Sequence, residues 1–328
     1  MTLYLIKKKA TYDITQAVTK YTWSGSLDQA SRALDFSLVN APLDKNLSGI
    51  PMVAMGDFVK LKDGSNTVFY GMVYTSEKTS AIGDVTYTCY DLLYHLTKSS
   101  WSKSFKDTTA EAIAKVCCKE VGIPVGSLAT TKIKLAKLLI DSETLYDTIL
   151  KAYNKASLAN GKKYHIRMNG KKLDVKEKGY IVGKVMLTDA TNLTQTSVKE
   201  SATDIINRVK IYDDKGNQTG VVANSKSVSK YGVFQAVYKK QDGVDSKKAA
   251  KEGFKEPTQE ITLEAIGNIA CMSGYAVYIK DEATGLIGKY WIMDDQHTFE
   301  NGVHTMSLTL SFKNLMSTSE ITYSEEDS

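Results

Sequence analysis

The hydrophobic pattern of this chain changes period twice, which restricts it to folds that mix sheets with a separate helical layer. Up to about residue 100, short apolar runs are closed by turn residues. Phe58, Val59 and Leu61 precede Asp63-Gly64-Ser65-Asn66, and Val68-Phe69-Tyr70-Gly71-Met72-Val73 follows. Two such runs around a Gly-containing turn predict a β-hairpin. The β-branched and aromatic run Val85-Thr86-Tyr87-Thr88-Cys89-Tyr90 adds a further strand, so the segment is expected to form a small antiparallel barrel or sandwich.

From about Phe105 the period becomes three to four. Thr108 and Glu111 have capping-box spacing, Ile113, Val116, Cys117 and Val121 supply an apolar stripe, and Gly122 with Pro124 ends the predicted helix. A second helix is expected from near Ser142, with Leu145, Ile149, Leu150 and Tyr153 on one face and a stop at Asn160-Gly161. Tyr164, Ile166 and Met168 then lead to an Asn169-Gly170 turn, and Leu173 and Val175 lead back as a hairpin.

After about residue 185 the alternation resumes. Ile205 to Tyr212 reads as a strand, followed later by Ile261 to Ala265, Tyr275 to Ile279, Tyr290 to Met293 and Val303 to Phe312. Asp245 to Glu256 reads as a short helix or loop. The expected organisation is a β segment over 1–104, an α+β insertion over 105–184, a second β segment over 185–317 and an acidic tail over 318–328. The resulting fold class is mainly β with an α+β insertion.

At 328 residues, two domains or one domain with a large insertion is the size expectation. Forty-two basic against 37 acidic residues, interspersed, give a net charge of +5 and no support for specific nucleic-acid binding. Lys7, Lys8 and Lys9, and Glu325, Glu326 and Asp327, read as solvated charge runs. Leu3-Tyr4-Leu5-Ile6 is too short for the apolar part of an export signal, and no run approaches the ~20 apolar residues of a membrane span. Synthesis in the cytoplasm is therefore expected. Cys89, Cys117, Cys118 and Cys271 have neither metal-site spacing nor disulfide density and are expected to be buried thiols.

The best catalytic or metal candidate is the run Asp294 to His304. With Asn301-Gly302 as a two-residue turn, Glu300 pairs with Val303, Phe299 with His304 and His297 with Met306. His297, His304 and Asp295 then share a face, a set that in principle binds zinc. That face also carries Trp291, Met293, Phe299, Met306, Leu308 and Leu310, so histidines hydrogen-bonded within a core are the stronger reading. Asp213 with Asp214, and Asp35 with Asp44, are carboxylate pairs only in sequence, whereas a glycosidase needs two held about 5–9.5 Å apart across a cleft. No catalytic, cofactor-binding or metal-binding residue and no cofactor is assigned. The 19 tyrosines with Trp23, Trp101 and Trp291 could serve glycan or protein binding, but most are expected to be ordinary strand residues.

Several segments resemble the hub proteins of contractile phage tails and phage-tail-like bacteriocins, the XkdQ/YqbQ type, which are similar to late control D proteins. They are Thr22-Trp23-Ser24-Gly25-Ser26 with Gln29, Ala30, Arg32, Leu34 and Phe36; Gly56 to Leu61; Phe69 to Val73; Ala152-Tyr153; Gly161 to Tyr164; Asn207 to Tyr212; Ser273 to Val277; Asp295 to Phe299; Asn301-Gly302; His304 to Met306; and Leu308 to Leu310. The resemblance implies two tail-tube-like antiparallel β-barrel domains flanking the insertion, and a non-enzymatic homotrimer that adapts a sixfold tail tube to a threefold central spike. It further implies the tail tube protein or a tube initiator, the spike protein, a baseplate wedge or LysM-type hub component and the tape measure protein as partners. The implied location is the baseplate of a virion or tail-like particle. A peptidoglycan-hydrolysing or glycan-binding tail component is the alternative.

Overall fold

The computed structural model describes residues 1–8, 10–39, 51–78, 83–179, 181–241 and 244–312. Lys9, Asp44 and the acidic tail over 318–328 lie outside the described residues. Two compact units divide the chain, Met1–Thr196 with Thr262–Ser328, and Ser197–Ile261. The protein is mainly β, as its alternation predicts, with a helical layer where the period lengthens.

In the larger unit the first seven strands are β1 (Thr2–Lys7), β2 (Ala10–Asp13), β3 (Val18–Ser26), β4 (Ala33–Val39), β5 (Phe58–Asp63), β6 (Asn66–Glu77) and β7 (Asp84–Asp91). They run in the order β3-β4-β7-β6-β5-β1-β2, every neighbouring pair antiparallel. The expected hairpin forms with Asp63 opposite Asn66 and Gly64 at φ +54°, a conformation glycine adopts without penalty. Leu3, Leu5, Leu34, Phe36, Val59, Leu61 and Cys89 alternate inward to form one core around Trp23.

The helical layer follows: α1 (Leu93–Thr97), β8 (Ser100–Thr109), α2 (Ala110–Glu120), β9 (Val125–Leu128), β10 (Lys134–Thr144), α3 (Leu145–Asn160), β11 (Tyr164–Asn169) and β12 (Lys172–Glu177). The residues from Phe105 to Thr109, expected to open a helix, instead end strand β8, where Phe105 pairs with Leu138 of β10. Thr109, not Thr108, caps α2 by accepting the Ala112 N–H, while Glu111 accepts from Thr131 instead of closing a capping box. α3 starts after the cap Thr144 and stops at Gly161 in the left-handed conformation (φ +72°). Ile149, Ala152, Tyr153 and Ala156 of α3 and Ile113 and Cys117 of α2 are buried together. In the β11–β12 hairpin Asn169 pairs with Lys172, so the turn is Gly170-Lys171, one residue later than expected, with Gly170 at φ +56°.

The later strands of the sheet are β13 (Ile181–Thr188), β14 (Leu193–Ser201) and β18 (Thr258–Ile266), the last two crossing the unit boundaries at Thr196 and Thr262, then β19 (Ala276–Asp281), β20 (Leu286–Glu300) and β21 (Val303–Ser311). They are ordered β14-β18-β21-β20, with β19 also on β20 and β13 on β19. β20 joins this set to the first seven strands by pairing antiparallel with β3. One 13-stranded sheet thus contains both ends of the described chain.

The smaller unit holds β15 (Arg208–Tyr212), β16 (Gln218–Ala223), α4 (Ser225–Tyr231), β17 (Gln235–Lys239) and α5 (Ser246–Glu252). β15 lies between antiparallel β16 and parallel β17, and Val209, Ile211, Val222 and Ala250 form the core. The strand expected over Ile205–Tyr212 therefore begins at Arg208 and belongs to this three-stranded sheet, not to that of the later strands. Among the described residues no helix is long and apolar enough to cross a membrane.

Candidate functional site

β20 is the longest strand, and one of its edges serves two partners. Residues Leu286–Trp291 pair with β19, and Asp294–Glu300 pair with β3. The change of partner falls at a bulge: on the β21 side Ile292 faces Leu310 and Asp294 faces Thr309, leaving Met293 as the extra residue. The bulge's carbonyls remain satisfied, Met293 O by the Leu27 N–H and Ile292 O by the Gly274 N–H. It also corrects the expected core face. Ile292, not Trp291 or Met293, is buried beside Met306, Leu308 and Leu310, because one inserted residue reverses the alternation.

Beyond the bulge the expected register holds, with Glu300 opposite Val303, Phe299 opposite His304 and His297 opposite Met306. Asn301 and Gly302 both have positive φ, +51° and +76°, as a type I′ turn requires. This register puts Asp295 opposite Gly25 of β3 and His297 opposite Trp23. Arg32, at the entrance to β4, reaches Asp295 across Gly25. A Cβ on Gly25 would lie 2.3 Å from the Arg32 Nη1, so only glycine leaves that path open.

The Arg32 guanidinium donates from Nη1 to Asp295 Oδ1 at 2.9 Å and from Nη2 to Oδ2, a bidentate pair, while its Cζ lies 4.1 Å from the centre of the Trp23 ring. Asp295 also accepts the Ser273 N–H at 2.6 Å, and its side chain is wholly buried. Burial alone would raise the Asp295 carboxyl, but the Arg32 charge beside it and hydrogen bonds from His297 and Arg32 hold it well below the usual carboxylate range. His297, fully buried, lies 3.0 Å from the Cys271 carbonyl through Nε2 and 3.1 Å from His304 Nε2 through Nδ1. Hydrogens on both Nε2 atoms satisfy the chain His304 to His297 to Cys271. The His304 ring stacks on Phe299 at 3.9 Å, and its opposite contact is Gly267, where a Cβ would sit 2.1 Å from the ring.

The residues singled out for zinc are thus committed to one another and to the backbone, and among the described residues no three potential ligands converge on a point. Burial pushes the thiols of Cys117 and Cys271 up to about 12, so neither is a ready nucleophile. The structure unites Trp23, Gly25, Arg32, Asp295, His297 and His304, but Asp35 hydrogen-bonds Thr88 away from this cluster and Asp213 caps a turn at Asn217 in the smaller unit. Sequence reasoning did not pair Arg32 with Asp295. A usable signal existed: the chain has three arginines, Arg32, Arg167 and Arg208, against a background of lysines.

What remains outward-facing is sheet edge. β2 ends the strand order with all four residues exposed, and at the other end β14 and β13 each have one neighbour. Exposed apolar side chains lie on these later strands, among them Met186, Ile266, Tyr278 and Ile287. Unpaired edges and exposed apolar side chains are the usual raw material of subunit contacts.

Solved structures share this long mixed β fold. The 43 kDa tail protein of prophage MuSo2 from Shewanella oneidensis matches with a TM-score of 0.69 and 16% identity, over 95% of this chain and 98% of that one. Residues 21–311 match the YqbQ-like family, and the chain belongs to that family. Bacillus subtilis YqbQ, described as uncharacterized, is 30% identical over 80% of this chain and 83% of its own length. The phage-like element PBSX protein XkdQ of the same organism is 28% identical over 88% of this chain and 90% of its own.

Proposed function

We propose that this protein is the non-enzymatic baseplate hub of a contractile phage tail or tail-like bacteriocin particle, a homotrimer adapting a sixfold tail tube to a threefold central spike. The observation that carries this reading is the pairing of β3 with β20, which joins seven front strands to six later ones in one sheet. In this reading residues 1–104 and 185–317 supply two tube-like barrels, the second interrupted by the Ser197–Ile261 unit, and 105–184 is the α+β insertion. Three copies then offer six comparable modules to a tube and three identical faces to a spike. Family membership and the fold shared with a phage tail protein support the same assignment.

The open edges, β2 at one end and β13 and β14 at the other, are the strands through which neighbouring copies pair. The partners are the tube protein or tube initiator, the spike, a wedge or LysM-type hub component and the tape measure protein. The particle is built in the host cytoplasm, and no catalytic, cofactor or metal residue is assigned. Electron microscopy of the intact particle tests the proposal: density for this chain is expected as a threefold ring at the tube's lower end. A different symmetry, or a position outside the baseplate, overturns it. Purified protein is expected to leave peptidoglycan undegraded and unbound, and hydrolysis by the parent protein would instead favour the cell-wall alternative.

A further inference from the structure

Beside the Arg32–Asp295 pair lies a cavity of about 120 Å³, lined by residues that include Trp23, Gln29, Arg32, His165, Arg167 and Asn169. It adjoins β3, β6 and β11 and lies wholly within the larger unit. Three of its lining residues carry a buried N–H without a hydrogen-bond partner: Trp23 Nε1, Arg32 Nε and Arg167 Nε. A buried donor left unmade costs about 1–3 kcal/mol, so three on residues that line one cavity point to an acceptor beside them.

Arginine usage sharpens the point. Only three arginines stand among 42 basic residues, and two of them line this cavity. Arginine differs from lysine in presenting planar pairs of donors that match an oxyanion. Arg32 spends its Nη1–Nη2 end on Asp295. Arg167 donates Nη1 to the Tyr275 hydroxyl, among the described residues no carboxylate pairs with it, and its Nε is buried without an acceptor. With Asp295 balancing Arg32, Arg167 gives the lining an uncompensated positive charge. His165 responds to that field: burial first, then the charges of Lys178, Arg167 and Arg32, push it down to about 3.

We propose that this cavity binds a small oxyanion, a carboxylate or a phosphate, gripped by the Nε–Nη2 edge of Arg167 with the Trp23 and Arg32 N–H groups beside it. At about 120 Å³ the cavity has room for a small oxyanion in place of water.

Three arginines give three side-chain Nε–Hε signals, so the test is direct. Sodium acetate and sodium phosphate are titrated separately into the full chain, with sodium chloride holding ionic strength constant, and the signals are followed by NMR. A saturable shift of the Arg167 signal, with Arg208 in the other unit unmoved, is expected for at least one anion, and which one responds separates planar from tetrahedral ligands. In parallel, that anion is expected to raise the thermal midpoint of the parent beyond chloride, and to do so neither in Arg167→Lys, which keeps the charge without the fork, nor in Arg167→Gln. An Arg167 signal that does not saturate with either anion overturns the proposal and assigns the cavity to water. So does an equal thermal response in both variants. If the variants fail to fold, the parent's Arg167 titration alone decides.

Discussion

Removing one member of a buried ion pair leaves the other charged and dry. Asp295→Asn is expected to lower unfolding free energy by about 3–5 kcal/mol in urea titrations, whereas Arg32→Met with Asp295→Leu recovers most of that loss because both charges leave together. The pH dependence has a definite sign. Asp295 is held below its unfolded value, so its stabilisation is present above about pH 4 and is lost as pH falls further. His165 and His304 are pushed down to about 3 and about 4, chiefly by burial. For them the unfolded chain binds protons first, and stability falls as pH drops from about 6.5 toward those values. Asp91, raised to about 7 by burial against the lowering effect of hydrogen bonds from Arg32 and Leu93, acts in the opposite sense over the same range. The net slope therefore mixes several groups, and the clean measurement is a difference. His165→Asn is expected to reduce the slope of stability against pH, between about pH 4 and 6, by about 1 kcal/mol per unit relative to the parent.

The helix caps are the elements' most localised supports. Thr144 accepts the Asp147 N–H at 3.0 Å and donates its hydroxyl to the Asp147 carboxylate at 2.6 Å, so Thr144→Ala should cost about 1 kcal/mol by urea unfolding and Thr144→Ser far less. The end of α3 at Gly161 and the Asn301-Gly302 hairpin were legible because their signals are local, a glycine after an apolar stripe and two turn residues between alternating runs, whereas the start expected near Ser142 falls later, at the cap Thr144, because β10 runs on to that residue. β8 and β10 were not. Their support is each other, Phe105 against Leu138, and nothing within Phe105–Thr109 distinguishes a strand end from a helix start. The Met293 bulge was equally hidden, because an inserted residue appears only when two strands are laid side by side.

For the molecule as a whole, cores of very different size predict unequal local stability. The Ser197–Ile261 unit rests on Val209, Ile211, Val222 and Ala250, while the helical layer alone buries a far longer set around Tyr153. Hydrogen-exchange mass spectrometry is expected to show peptides covering Arg208–Tyr212 exchanging faster than those covering Trp23 or His297. The mainly β class with a helical insertion was readable from periodicity alone, and the motif residues Trp23, Gly25, Arg32, Asp295 and His297 prove to be one cluster. Their contact was unreadable, since Arg32 and Asp295 are separated by 263 positions and only the β3–β20 register brings them together.

That separation also orders events during synthesis. A ribosome reaches Asp294 only after nearly every earlier strand has left the exit tunnel, so the flank of β3 that β20 will cover stays bare for most of translation. A product cut short before Leu286 lacks the strand that seals this flank, leaving it open to proteases and to neighbouring nascent chains. The buried pair of Arg32 with Asp295 therefore forms only after β20 has been made.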